Sequence, residues 1–362
     1  MKLLYITNGI NGAGGLERVL SIKASYLADH FGYEVTILVL NDQDKDCFYK
    51  FSDKIKTVSI QVAGNPIQYL KSYRNGIQRI VKMVDPDIIS VCDDGLKGFF
   101  IPKILESKRK IIYERHVSKL IEANVNDGFV KRISNKVKWL LMESLAKNFE
   151  QFIVLTEGNK NEWKSLKNIQ VIPNPLSFYP DTPSDLESKK VICVGKISYQ
   201  KGQDLLVKAW EKVTVNHPDW QLELYGKSDD AFLNTDSLTS KNIFHFPPER
   251  NIEAKYLESS IYVMSSRYEG FGMVLIEAMA CGLPCVSFDC NYGPSDIIID
   301  NENGILVEDG NFTELAERLE SLISNSNLRK EMGNAGRENV KKYLPEAIVA
   351  QWDKLFNQIK LK

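Results

Sequence analysis

One stretch limits what this chain can fold into more than any other: Met264–Gly293, reading MSSRYEGFGMVLIEAMACGLPCVSFDCNYG. It opens on the end of an apolar strand at Ile261–Met264 and turns through Glu269-Gly270-Phe271-Gly272. Met273–Ala280 then has helix-forming composition, and Gly282 and Pro284 end that helix before a second apolar strand at Cys285–Phe288. The order strand, glycine turn, helix, strand is a parallel α/β unit. A helix that starts just behind a glycine turn presents unpaired backbone N–H groups and the positive end of its dipole. Such a mouth binds anions, phosphate above all. Glu269 stands at the turn and Glu277 in the helix, with seven residues between them. One carboxylate can face a ligand at the helix mouth while the other reaches it from the side.

At 362 residues the chain suits two α/β domains better than one core. Its 43% hydrophobic and 26% charged content is that of a soluble globular protein, and no apolar run approaches the ~20 residues of a membrane span. LLYIT follows Met1-Lys2 directly, so no cleaved leader is expected, and the reading is cytoplasmic. The six cysteines lie mostly in apolar strand or helix patterns, without a Cys-x-x-Cys, and read as reduced, buried thiols. No histidine near Cys281, Cys285 and Cys290 completes a zinc set, so no metal is expected there.

Strand signals recur at Leu3–Thr7, Glu34–Leu40, Lys56–Ile60, Asp87–Cys92, Lys110–Glu114, Phe152–Thr156 and Gln170–Ile172, alternating with helical segments. Phe129–Lys147 is the clearest of these, with Phe129, Ile133, Val137, Leu140, Leu141 and Leu145 on one face. This alternation specifies a parallel sheet covered on both sides. Pro173–Lys189, polar and proline-bearing, reads as a linker, and the pattern restarts with strands at Val191–Gly195, Gln221–Tyr225, Ile243–Phe246, Ile261–Met264, Cys285–Phe288 and Gly304–Val307. Ile348, Trp352, Leu355, Phe356 and Ile359 give the last segment one apolar helical face.

Other motifs point to the same chemistry. The first strand runs into a glycine loop, Gly9 to Gly15, that lets backbone approach a ligand closely. A dinucleotide fingerprint competes there, with Asp42 after the second strand, but Glu17 stands where the third glycine of G-x-G-x-x-G belongs. Lys196 and Lys201, five apart on a strand-to-helix turn, can meet at one diphosphate. His116 ends the strand KIIYERH, and sites of open parallel sheets lie at the carboxyl ends of strands. His30, His217 and His245 occupy ordinary structural contexts. Asp85-Pro86-Asp87 precedes its strand and reads as a strand-start turn.

Glu269-x7-Glu277 inside EGFGMVLIEAMACGLPCV resembles the signature of family 4 of the retaining nucleotide-sugar glycosyltransferases, of GT-B fold. The resemblance implies two Rossmann-like parallel-sheet domains facing across a cleft. Residues 1–178 with a returning C-terminal helix, 346–362, would form the acceptor-side domain, and 186–345 the donor domain. It implies that Glu269 contacts the donor sugar, that Glu277 holds the ribose, and that the amides of Gly270, Phe271, Gly272, Met273 and Val274 take the diphosphate. Lys196 and Lys201 match the family's basic pair, Gly15 its first glycine loop, and His116 its histidine near the donor sugar. His116, Glu269 and Lys201 are thus the implied catalytic set. Phe246-Pro247 ends a strand where the nucleobase would lie, and Asn291–Ser295 resembles the loop behind the donor.

The activity implied is retaining transfer from a UDP-linked sugar, as substrate and not cofactor, to a hydroxyl of a glycan or lipid-diphosphate-linked acceptor in surface polysaccharide synthesis. Two other readings stay open: a glycoside hydrolase using Glu269 and Glu277, in which water replaces the acceptor, and a nucleotide-sugar-binding scaffold without turnover. No metal is expected, because two lysines and a helix mouth supply the positive charge. The residues to Ile172 carry 26 Lys+Arg against 19 Asp+Glu and the remainder 20 against 28. Between Gly95 and Asn148 the basic excess is interspersed with Phe99, Phe100, Phe129 and Trp139, which suggests peripheral contact with an anionic membrane at its inner face. The mildly acidic whole and the lack of a binding motif argue against nucleic acid.

Overall fold

A computed structural model describes residues 1–41, 46–93, 95–105, 109–119, 128–229, 231–234 and 236–361. Asp42, named above in the dinucleotide reading, lies outside them. The chain forms two compact units, Met1–Pro175 with Pro345–Lys362, and Leu176–Leu344.

In the first unit, seven strands make one sheet: β1 (Lys2–Thr7), β2 (Glu34–Leu40), β3 (Lys56–Ile60), β4 (Ile88–Cys92), β5 (Lys110–Glu114), β6 (Gln151–Val154) and β7 (Ile169–Val171). Their order is β3-β2-β1-β4-β5-β6-β7, and every pairing is parallel. All of β4 and all but the first residue of β1 are buried, as expected of parallel strands covered on both faces. The order reverses between β1 and β4, and there Asn8 donates through Nδ2 to Asp93 Oδ1 at 3.1 Å.

The second unit holds β8 (Lys190–Val194), β9 (Gln221–Tyr225), β10 (Ile243–Phe246), β11 (Ile261–Met264), β12 (Cys285–Phe288) and β13 (Ile305–Val307), in the order β10-β9-β8-β11-β12-β13, again all parallel. Its order reverses between β8 and β11. Ligands of open α/β sheets bind outside the carboxyl ends of the strands at such a reversal. The loops after β8 and β11 therefore define where to look.

Two features go beyond the sequence reading. The Pro173–Lys189 stretch is docked along the second unit from Leu176 on: Ser184 N–H reaches Cys281 O at 2.8 Å, Ser184 Oγ reaches Ser259 O at 2.7 Å, and Leu186 is buried. The helix Phe129–Ala146 does carry its apolar residues on one face, but only the last turn, with Met142, Leu145 and Ala146, is buried, while Phe129 to Leu141 point their apolar side outward. Periodicity tells which residues share a face; it carries no information on which way that face turns.

The C-terminal helix, Pro345–Leu361, belongs to the first unit. It buries Ile348, Val349, Trp352, Leu355, Phe356 and Ile359 there, as its pattern predicted. Tyr33 donates its hydroxyl to Asp353 Oδ1 at 2.8 Å, and the Lys23 ammonium lies 3.9 Å from the Trp352 ring.

Candidate active site

The loops after β8 and β11 are joined side by side in the second unit. Arg267 N–H donates to Gln200 O at 2.8 Å and Ser265 Oγ to Lys201 O at 2.9 Å. Arg267 adds a two-point contact with Asp204, at 2.8 and 2.7 Å, and its guanidinium lies 4.2 Å from the Tyr199 ring. The approach is so close that a Cβ on Gly202, at φ +65°, would stand 2.0 Å from Ser265 O. Only glycine fits.

This junction brings Lys201 to Glu269. Lys201 Nζ donates to Glu269 Oε1 at 2.6 Å, and Ser266 Oγ donates to the same oxygen at 2.6 Å. Glu269 is buried, with its backbone N–H on Asn291 O at 2.8 Å, so the Asn291–Ser295 loop supports it from behind. Burial pulls the Lys201 ammonium toward neutrality, but the charge and hydrogen bond of Glu269 outweigh it and hold its pKa above the usual lysine value.

Behind Glu269 comes the helix mouth. Gly272, at φ +97°, is the N-cap of the helix Met273–Ala280 and makes no side-chain cap, so no capping side chain takes up the first amides. Phe271 is buried and meets the Tyr343 ring edge-on at 5.5 Å. Glu277 is fully buried and accepts from Ser177 Oγ at 2.7 Å. Of the two lysines expected at one diphosphate, Lys201 is engaged in the junction, while Lys196 is exposed and enters through its carbonyl, which accepts from Gln203 Nε2 at 3.2 Å. Phe246, at the end of β10, stacks on Tyr225 at 4.9 Å, and Pro247 beside it is exposed.

In the first unit, His116 follows β5 and its Nε2 lies 3.2 Å from Glu114 Oε2. Glu114 is itself buried against the Lys23 ammonium and the Ser90 hydroxyl. Burial drives the Glu114 carboxyl toward protonation, yet the Lys23 charge and the His116 contact prevail and hold its pKa at about 2. Cys92, Glu114 and His116 bring three ligand-type atoms within 4.8 Å of one another. The Lys23 ammonium already supplies the cation that this carboxylate pairs with. Gly15 opens the helix Gly15–His30 behind the uncapped Gly14. The Glu17 carboxylate folds back over the loop, where Cβ atoms on Gly12 and Gly14 would stand 2.6 and 2.5 Å from its oxygens.

Asp85 caps the helix Pro66–Val84 in the left-handed region, and Asp87 accepts from Lys2 N–H at 2.8 Å, which makes this pair the strand-start turn it resembles in sequence. The sequence reading missed Ser266, Ser177 and Asp204, and took in Glu114 only as part of the strand end before His116. Glu114 alone had a visible signal, a carboxylate two residues before a strand-end histidine.

The family model described as glycosyl transferases group 1 matches residues 179–339, which contain both glutamates and both lysines. The amylovoran biosynthesis glycosyltransferase AmsD of Erwinia amylovora is 30% identical over 98% of this chain and 99% of its own length. This chain is a group 1 glycosyltransferase. The poly(ribitol-phosphate) alpha-N-acetylglucosaminyltransferase of Staphylococcus aureus is 31% identical to this group 1 glycosyltransferase over 75% of the chain and 55% of that relative. The fold is also that of a point mutant of S. aureus TarM, solved with fondaparinux, alpha-GlcNAc-glycerol and UDP: TM-score 0.79 at 18% identity over 98% and 99% of the two chains. The GT-B class and nucleotide-sugar transfer follow, as the retaining family signature implied. The hydrolase reading finds no support, and the Glu269 carboxylate is paired with Lys201 and Ser266.

Proposed function

We propose that this glycosyltransferase moves a sugar from a UDP-linked donor, with retention, to a hydroxyl of a glycan or lipid-diphosphate-linked acceptor in surface polysaccharide synthesis, in peripheral contact with the anionic inner face of a membrane. The observation that carries the donor reading is the Lys201–Glu269 pair at the strand-order reversal, directly before an uncapped helix mouth. An ammonium has three donors. One engages Glu269, and the others reach a diphosphate held by the amides from Gly270 to Val274, with Lys196 adding charge from the surface.

Glu269 accepts hydroxyls of the donor sugar, Glu277 those of the ribose, and Phe246-Pro247 borders the base. From the first unit, Gly15 brings backbone toward the donor, and His116, its ring oriented by the Nε2 contact with Glu114, acts on the sugar side of the breaking bond. The acceptor hydroxyl attacks the anomeric carbon on the face the leaving diphosphate vacates. That diphosphate takes the acceptor's proton, so the protein supplies position and charge and no base of its own. No metal enters this scheme. Support for UDP comes from the TarM complex, and for a polysaccharide product from the amylovoran relative.

A thermal-shift panel of nucleoside diphosphates and nucleotide sugars tests it, since a ligand at a hundred times its Kd stabilises the fold by about 2.7 kcal/mol. Selective stabilisation by UDP and UDP-sugars, lost in Lys201→Ala, is the expected result. Equal response to every nucleotide, or none, overturns the donor assignment.

A further inference from the structure

The helix Phe129–Ala146 turns a row of large apolar side chains to solvent: Phe129, Val130, Ile133, Val137, Leu140 and Leu141, with exposures of 78% at Phe129, 80% at Val130 and 68% at Leu140. At 3.6 residues per turn they share about a third of the helix circumference. Such a row on a lone soluble helix faces water at a cost, and a contiguous apolar patch of this kind marks a contact surface.

Charge says which contact. From Phe129 to Met142 the helix contains Lys131, Arg132, Lys136 and Lys138 and no acidic residue. Lys131 and Arg132 stand in the first turn, where the helix dipole disfavours positive charge, and Gly128 supplies no side-chain cap. The sequence is therefore not arranged for the helix's own stability. Arg132 and Lys136 flank the apolar row along one edge, the layout of a helix lying in a bilayer interface with its basic side chains reaching the headgroups. Two copies of this face would bring like charges together, which opposes self-association through it. No helix among the described residues is long and apolar enough to cross a membrane, so this one would lie on the surface.

We propose that the outward face of Phe129–Leu141 is the element that docks this enzyme on an anionic lipid bilayer, thirteen residues beyond His116 in the chain. The proposal rests on the membrane contact of the preceding reading and assigns it to a surface.

Sedimentation of the full chain with vesicles tests it, comparing pure phosphatidylcholine with phosphatidylcholine and phosphatidylglycerol in equal parts. Partition onto the anionic vesicles should exceed that onto neutral ones by on the order of tenfold at low salt, and shrink as salt rises. Val137→Gln with Leu140→Gln, both exposed, should lower it about tenfold without moving the melting temperature. Arg132→Glu with Lys136→Glu should lower it at least as much. Equal binding to both vesicle types overturns the proposal, as does wild-type binding by either double variant. So does a solution dimer that the apolar variant dissolves, which would give the face to a second copy. No donor is present in this assay: intact vesicle binding with a failed UDP shift sinks the donor reading alone, and the converse sinks this one.

Discussion

Lys201 Nζ and Glu269 Oε1 are 2.6 Å apart, 68 residues apart in sequence, and they tie the loop after β8 to the loop after β11. Removing the lysine leaves a buried carboxylate without its main counter-charge and takes one of two lysines from the proposed phosphate site. Lys201→Ala should weaken UDP binding by about 2–5 kcal/mol, on the scale of truncating one partner of a buried charge pair. Titration calorimetry reads it directly. An affinity within twofold of wild type would remove the lysine from the donor site.

His116 is proposed to act on the transferring sugar and not on the nucleotide. His116→Ala should cut turnover by about 100-fold while leaving UDP affinity nearly unchanged. Unchanged turnover, or a loss of UDP affinity that accounts for the whole effect, contradicts this role.

The Glu114 carboxyl titrates at about 2 in the fold against an ordinary value of 4.5. Because the folded value is depressed, the stabilisation is complete above pH 4.5 and is lost as pH falls toward 2. By pH 3 the loss is about 2 kcal/mol. Urea unfolding of wild type and Glu114→Gln should thus converge between pH 6 and pH 3. A gap that stays constant with pH would show that Lys23 does not hold this charge.

Gly202 sits at φ +65° with Ser265 O where its Cβ would be. Gly202→Ala should cost about 1–2 kcal/mol for the left-handed backbone alone, plus whatever the carbonyl must yield. The Lys201–Glu269 junction lies one residue away, so UDP affinity should fall along with the melting temperature. Loss of stability with full affinity would separate the glycine from the donor site.

In the proposed scheme, charge balance at the diphosphate rests on Lys201, Lys196 and a helix mouth worth roughly half a positive charge. Initial rates should accordingly be the same with excess chelator and with added magnesium or manganese. Activity abolished by chelator and restored by either ion refutes the two-lysine scheme.

Much of this is legible in the sequence alone. The central strands, such as β1, β4 and β11, stood out because parallel strands buried on two faces are nearly unbroken apolar runs. The glycine turn between Met264 and Met273 was legible for a different reason: a tight turn and a helix start constrain composition locally. What stayed hidden depends on topology. Ser177 reaches Glu277 across 100 residues and Lys23 reaches Glu114 across 91, and no local pattern announces either contact. The direction of the Phe129–Leu141 face was hidden as well, since apolar spacing looks the same against a core and against solvent.

The C-terminal helix covers the first helix of the chain and sets Trp352 over Lys23. The first unit is thus split in sequence, its two pieces separated by residues 176–344, whereas the second is one unbroken stretch. The Tyr33–Asp353 bond joins residues 320 apart, so the first unit completes its core through contacts that span almost the whole sequence, a closure whose entropic cost grows only slowly with loop length.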